Sequence, residues 1–149
     1  MPTSLPLLPG SVIDSRPAML GVLGGGQLGR MFVHAAQSLG YETVVLDPDR
    51  HSPAGRISHH FIEADYRDAD ALRELAARAL AVTTEFENVP AESLAELALK
   101  RPVAPAAEAV AIAQDRIREK ALFTRCAELS GVAPAPYAAI EREADLAAV

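Results

Sequence analysis

The chain has a single cysteine, Cys126, which excludes an internal disulfide framework and fits a reducing, cytoplasmic setting. No apolar run approaches the roughly 20 residues that cross a bilayer, so no membrane partner is expected. Basic charge is not in excess. Lys and Arg number 14 against 20 Asp and Glu, a formal net charge of −6. With only 5% aromatics and no basic stripe interleaved with them, nothing marks a nucleic-acid surface. Internal repeats and low-complexity tracts are also missing. Residues 1–17 lack the basic start and continuous apolar segment of a secretory signal. Pro2, Pro6, Pro9 and Pro17 mark them instead as a loosely ordered leader. His34, His51, His59 and His60 have no partner at a metal-ligand spacing, so exposed or packing roles are expected and no metal site. Cys126 lacks the basic and histidine neighbours of a nucleophile and reads as a small core residue.

What is present is a regular alternation of short apolar runs and amphipathic helices. At 149 residues and 50% hydrophobic, the chain can bury one real core. Strands are expected at Met19–Leu23, Thr43–Leu46, Phe61–Ala64, Ala81–Phe86 and Val103-Ala104. The first helix carries Leu28, Met31, Phe32, Ala35, Ala36 and Leu39 on one face and stops at Gly40. A second follows Asp70 with Leu72, Leu75, Ala76 and Ala79 along one side, and Pro90 opens a third. Residues 106–129 read as helix broken near Asp115, which caps the second piece, and Gly131 ends it. Such β-α alternation calls for an α/β fold, a Rossmann-like parallel sheet with helices on both faces.

The segment Met19-Leu-Gly-Val-Leu-Gly-Gly-Gly-Gln-Leu-Gly-Arg-Met31 runs from strand through glycine turn into helix. Gly24, Gly26 and Gly29 satisfy G-x-G-x-x-G, with Gly25 inside the turn. The glycines permit a tight turn, and the position at the carboxyl edge of the sheet suits a ligand. Asp47, ending the next strand, stands where a nicotinamide enzyme holds the ribose hydroxyls. The preferred alternative is a solvated strand-end carboxylate that stabilises the turn with Pro48. Gln27 and Leu28 open the helix, and the Gln27 amide can both donate and accept there.

Thr84-Glu-Phe-Glu-Asn88 ends the fourth strand. If the strand persists, Glu85 and Glu87 lie side by side, a pair able to bind a ribose diol, an amine or a metal. The competing reading is a solvated strand end for each of them.

Three segments, Gly24–Met31, Thr84–Pro90 and Ala111–Arg116 with Glu119-Lys120 after it, closely resemble the N-terminal part of the N5-carboxyaminoimidazole ribonucleotide synthetases. These are ATP-grasp ligases of purine biosynthesis. The resemblance runs from about Leu20 to Tyr137. It implies a Rossmann-like pre-ATP-grasp domain over 18–115 that binds no dinucleotide, and the start of an ATP-grasp domain over 116–149. It also implies that Gln27, Leu28 and Glu85 contact aminoimidazole ribonucleotide and that Arg116 approaches the ATP phosphates. The reaction so implied uses ATP to phosphorylate bicarbonate and delivers carbon dioxide to the exocyclic amine, with Mg2+ on the phosphates and a homodimer as the assembly. By the same resemblance, the lysines, lid and acidic metal ligands of that family would lie beyond Val149. No catalytic residue is therefore expected within this chain, which by itself is expected to be inactive. The rival reading, an NAD(P)-binding Rossmann domain of an oxidoreductase, rests on the three glycines and Asp47 alone.

Overall fold

The computed structural model describes residues 8–13 and 16–148. The chain divides into two compact units between Val110 and Ala111. In the first, β1 (Val12–Ile13) and β2 (Arg16–Pro17) pair antiparallel, with Val12 opposite Pro17. The leader expected to be loose therefore holds paired backbone. The Ala18 amide, just before the first strand of the main sheet, donates to the Ser11 carbonyl at 2.8 Å and ties the two together. Residues 1–7, 14 and 15 of that leader lie outside the described residues.

Five parallel strands make the main sheet: β3 (Met19–Leu23), β4 (Glu42–Asp47), β5 (His60–Glu63), β6 (Ala79–Thr84) and β7 (Val103–Ala104). Their order across the sheet is β5-β4-β3-β6-β7. The chain thus starts in the middle, winds outward to one edge, then returns to wind outward to the other. The reversal falls between β3 and β6, where loops leave the carboxyl ends of neighbouring strands and open the crevice that open α/β sheets use for ligands.

The helices cover both faces. Leu23, Val44, Leu46 and Val82 point to one side and pack with Leu72 and Leu75 of α2 (Ala69–Arg78) and Leu94 and Leu97 of α3 (Ala91–Ala98). Val22 and Val45, one residue out of phase, point to the other and meet Val33 of α1 (Gln27–Ser38). That is the period-two alternation of a strand buried on both faces.

The structure rotates the first of the expected helices and shifts the cap of the second, whose expected inner residues Leu72, Leu75, Ala76 and Ala79 are all buried. In α1 the buried residues are Gly29, Val33 and Ala36, while Leu28, Met31 and Leu39 are 62%, 66% and 66% exposed. The apolar residues span much of the helix circumference, and the row with the smallest side chains lies against the sheet. In α2 the cap is Asp68 rather than Asp70; its Oδ1 accepts the amides of Asp70 and Ala71, each at 2.9 Å. Asp70 instead pairs with Arg73 on the surface.

α4 (Ala107–Ala113) crosses the division between the units, and α5 (Arg116–Ser130) lies in the second. The helix break at Asp115 is where the sequence places it. Asp115 Oδ1 accepts the amides of Ile117 and Arg118 at 2.9 and 3.1 Å, and Gly131, at φ +72°, closes the far end. None of the α5 side chains is buried. Cys126 is exposed, which corrects the expectation of a core cysteine: it lies on a helix none of whose side chains is buried. Among the described residues, no helix is long and apolar enough to cross a membrane.

Candidate functional site

The loop between β3 and α1 is held by two acidic side chains from other strands. Glu85, just past the end of β6, places Oε1 2.6 Å from the Gly26 amide and Oε2 2.5 Å from the Gly29 amide. Gly26 is the N-cap of α1 and offers no side-chain cap of its own. Glu85 supplies that cap from across the crevice, an anion at the positive end of a helix. Asp47, at the end of β4, accepts the Gly25 amide on Oδ2 at 2.6 Å and the Asp49 amide on Oδ1 at 2.7 Å. Its Oδ2 also accepts the Tyr66 hydroxyl at 2.7 Å.

The glycine pattern is explained by what fills it. Gly24 sits at φ +104°, a conformation that side chains resist, and a Cβ there would come within 2.5 Å of Glu85 Cγ. A Cβ on Gly26 would meet Glu85 Oε1 at 2.5 Å. In a dinucleotide enzyme these glycines clear space for a pyrophosphate. Here they clear space for the chain's own carboxylate.

Asp47 is 8% exposed and spends its oxygens on three internal donors. It does stabilise the turn after β4, as expected, but it is buried rather than solvated. It is not free to hold a ribose either. The dinucleotide alternative thus loses both of its supports.

The carboxylate pair also resolves differently from its sequence expectation. β6 ends at Thr84, whose hydroxyl donates to the Phe86 carbonyl at 3.0 Å, with the Leu23 carbonyl 3.1 Å away, where the chain leaves strand geometry. Glu85 and Glu87 therefore do not share a strand face: Glu85 is half-buried against the glycine loop and Glu87 is exposed. Gln27 and Leu28, at the first turn of α1, are both exposed beside the capped end. Arg116, in the second unit, is exposed and pairs with Glu119.

Tyr66 is the residue that sequence reading passed over. Its ring lies edge-on to Phe86, centroids 6.0 Å apart, so one side chain touches both carboxylate-bearing segments. Burial, then the hydrogen bond to Asp47 and the nearby negative charges, raises its phenol above the ordinary value. The available signal was positional: a lone tyrosine just beyond the carboxyl end of a strand, near two acids.

The histidines serve elsewhere. His60 Nε2 lies 2.9 Å from Glu74 Oε1, which also accepts Arg78 Nε at 2.8 Å. His60 and then Arg78 hold the Glu74 carboxyl below its usual range. His59 Nδ1 accepts the Thr43 amide at 3.2 Å, and His34 and His51 are exposed. Among the described residues, no group of three or more His, Cys, Asp or Glu could hold a metal ion.

Sheet order and loop together define a doubly wound, Rossmann-like domain whose glycine turn faces a carboxylate instead of a pyrophosphate. The model of the ribonucleotide synthetase preATP-grasp domain matches residues 18–114, and the chain belongs to that family. An N5-carboxyaminoimidazole ribonucleotide synthase from Brucella melitensis is 42% identical over 142 residues, 95% of this chain and 36% of the relative. The N5-carboxyaminoimidazole ribonucleotide synthetase structure from Thermus thermophilus superposes with a TM-score of 0.80 at 38% identity, covering 87% of this chain and 35% of that one. The Aspergillus clavatus enzyme, solved with ADP and 5-aminoimidazole ribonucleotide, gives 0.65 at 35% identity over 74% of this chain and 29% of its own. The chain spans about a third of the length of the curated relatives it matches.

Proposed function

We propose that this chain is the N-terminal part of an ATP-dependent ligase that carboxylates 5-aminoimidazole ribonucleotide with bicarbonate in purine biosynthesis. The observation that carries this reading is the seat of Glu85 in the glycine loop of a chain 42% identical, over 95% of its length, to such a synthase. The loop amides of Gly26 and Gly29 are already met by an anion, which disfavours a second anion at that spot. Each Glu85 oxygen accepts one of these amides, and a carboxylate oxygen has acceptor capacity beyond one bond. Ribose hydroxyls or an exocyclic amine donate hydrogen bonds and suit that acceptor; a phosphate does not. Gln27, exposed at the first turn of α1, adds an amide that donates or accepts beside it, and Leu28 an apolar surface.

ATP is the cosubstrate in this reading, and Arg116 is the residue offered to its phosphates. A guanidinium stays charged and can bond two oxygens at once. Arg116 now pairs with the half-buried Glu119 but keeps most of its own side chain in solvent, where such a pair is worth little, so exchange for a phosphate is inexpensive. Residues 116–149 then begin an ATP-grasp domain, a role supported by a helix, α5, with no buried side chain. The assembly is a homodimer and the setting cytoplasmic, both by likeness to the family.

A chimera tests this. Residues 18–149 of this chain replace the matching segment of the Brucella melitensis relative, and ADP release is measured with and without bicarbonate and the ribonucleotide. Release that needs both is expected. A folded chimera with no ribonucleotide-dependent release overturns the reading.

A further inference from the structure

The glycine loop is fixed at three amides by two carboxylates, Asp47 at the end of β4 and Glu85 just past β6, and something must set those carboxylates relative to each other. Asp47 Oδ2 is shared between the Gly25 amide at 2.6 Å and the Tyr66 hydroxyl at 2.7 Å. Without the hydroxyl, that oxygen would retain a single donor in a buried setting, where a lost partner costs more than the average hydrogen bond gains. The ring of the same tyrosine meets Phe86 edge-on at 6.0 Å. Phe86 directly follows Glu85, and its Cε1 lies 2.9 Å from the space a Cβ on Gly24 would take. Tyr66 thus reaches the Gly25 side of the loop through Asp47 and the Gly26–Gly29 side through the Phe86–Glu85 segment.

We propose that Tyr66 is a positioning residue for the glycine loop, setting through Asp47 and Phe86 the two carboxylates that hold Gly25, Gly26 and Gly29. The consequence for ligand binding rests on the reading of this loop as the ribonucleotide-binding loop: Tyr66 tunes affinity for the ribonucleotide by fixing Glu85. Its phenol stays protonated well into alkaline solution because burial and the Asp47 acceptor both favour the neutral form, so the hydroxyl is a permanent donor at neutral pH.

Two variants separate the two arms. Tyr66→Phe removes the hydroxyl and keeps the ring; Tyr66→Leu removes both. In residues 1–149, amide exchange is followed by NMR at Gly25, Gly26 and Gly29, with Val45 in the sheet centre as the reference for global opening. Tyr66→Phe is expected to speed Gly25 exchange about tenfold or more relative to Val45, with a smaller rise at Gly26 and Gly29. Tyr66→Leu is expected to raise all three. Glycine exchange that only follows Val45, or does not change, overturns the proposal. The chimera with Tyr66→Phe supplies the second readout, a raised KM for the ribonucleotide with kcat and the KM for ATP preserved; an unchanged ribonucleotide KM overturns the link to binding. A parent chimera that ignores the ribonucleotide defeats the ligase reading alone, because glycine exchange in residues 1–149 still decides whether Tyr66 positions the loop.

Discussion

Glu85 and Gly29 are 56 residues apart in the chain, yet the Gly29 amide donates to Glu85 Oε2 at 2.5 Å. The bond crosses the crevice between β3 and β6, where the winding of the sheet reverses. It joins the two loops that bound the site. A helix N-terminus that would otherwise attract a free anion is neutralised by the protein itself, which changes the kind of ligand the crevice favours.

Glu85→Gln is the direct probe of that bond. Glutamine keeps one acceptor oxygen but turns an NH2 toward one of the two amides, so a donor faces a donor. Hydrogen bonds to charged groups contribute about 1.5–3 kcal/mol, and a loss of about that size is expected in urea unfolding of residues 1–149. In the chimera the same change should raise the KM for the ribonucleotide more than that for ATP, and Glu87→Gln should do less, since Glu87 is exposed. An effect confined to ATP would contradict the assignment.

Gly26→Ala should act through Glu85. The new Cβ would stand 2.5 Å from Oε1, and the carboxylate must leave its seat or the loop must shift. Gly26→Val should be worse in both folding and binding. A double-mutant cycle with Glu85→Ala measures the coupling: with the carboxylate gone, the alanine should cost at least about 1 kcal/mol less than it does alone, as expected for residues in contact. Additive effects would mean that the glycine is required by the turn and not by the side chain that fills it.

Much of this architecture is written locally in the sequence. The β3–α1 turn is legible because an apolar run, three glycines and an amphipathic helix are contiguous, and the Asp115 and Gly131 caps of α5 depend on neighbours only a few residues away. That the strands run parallel follows from alternation; their order across the sheet does not. What was not legible depends on distant partners. Asp47 reaches Gly25 over 22 residues and Tyr66 over 19, so nothing beside it announces that it is buried. Glu85 and Glu87 look equivalent until Thr84 ends β6 and turns one of them inward. The rotation of α1 is hidden for another reason: its apolar residues cover too much of the circumference for periodicity to choose the buried row.

Tyr66 predicts an alkaline limb of stability. Its folded pKa is raised above the ordinary 10.0 chiefly by burial and by the Asp47 bond. A group with a raised folded value binds its proton more tightly when folded, so its contribution is full below about pH 10 and declines as pH rises past it. Urea midpoints measured from pH 8 to 11 should therefore fall more steeply at the top of the range for the parent chain than for Tyr66→Phe. Tyrosinate absorbance should show the residue removed by that substitution ionising later than free tyrosine. Parallel curves for the two proteins would place the Tyr66 hydroxyl in solvent.

Residues 1–149 alone are expected not to turn over ATP. Phosphoryl transfer depends on cations and metal ions that hold the phosphates in line and neutralise charge as it develops. Among the described residues no acidic or histidine cluster could hold a metal. Arg116, the one side chain offered to the phosphates, is exposed and paired with Glu119. A single guanidinium can hold a phosphate oxygen, but it cannot position a metal–nucleotide complex against bicarbonate. On the proposed reading the ribonucleotide meets Glu85 and the glycine loop, and a loop that supplies a few contacts at one edge of a ligand should bind it weakly. Bicarbonate-dependent ADP release should be undetectable for this chain and present for the chimera assayed at the same concentration. Robust release by residues 1–149 would place catalytic machinery within them, and the proposed division of labour between the glycine-loop domain and the start of an ATP-grasp domain would be wrong.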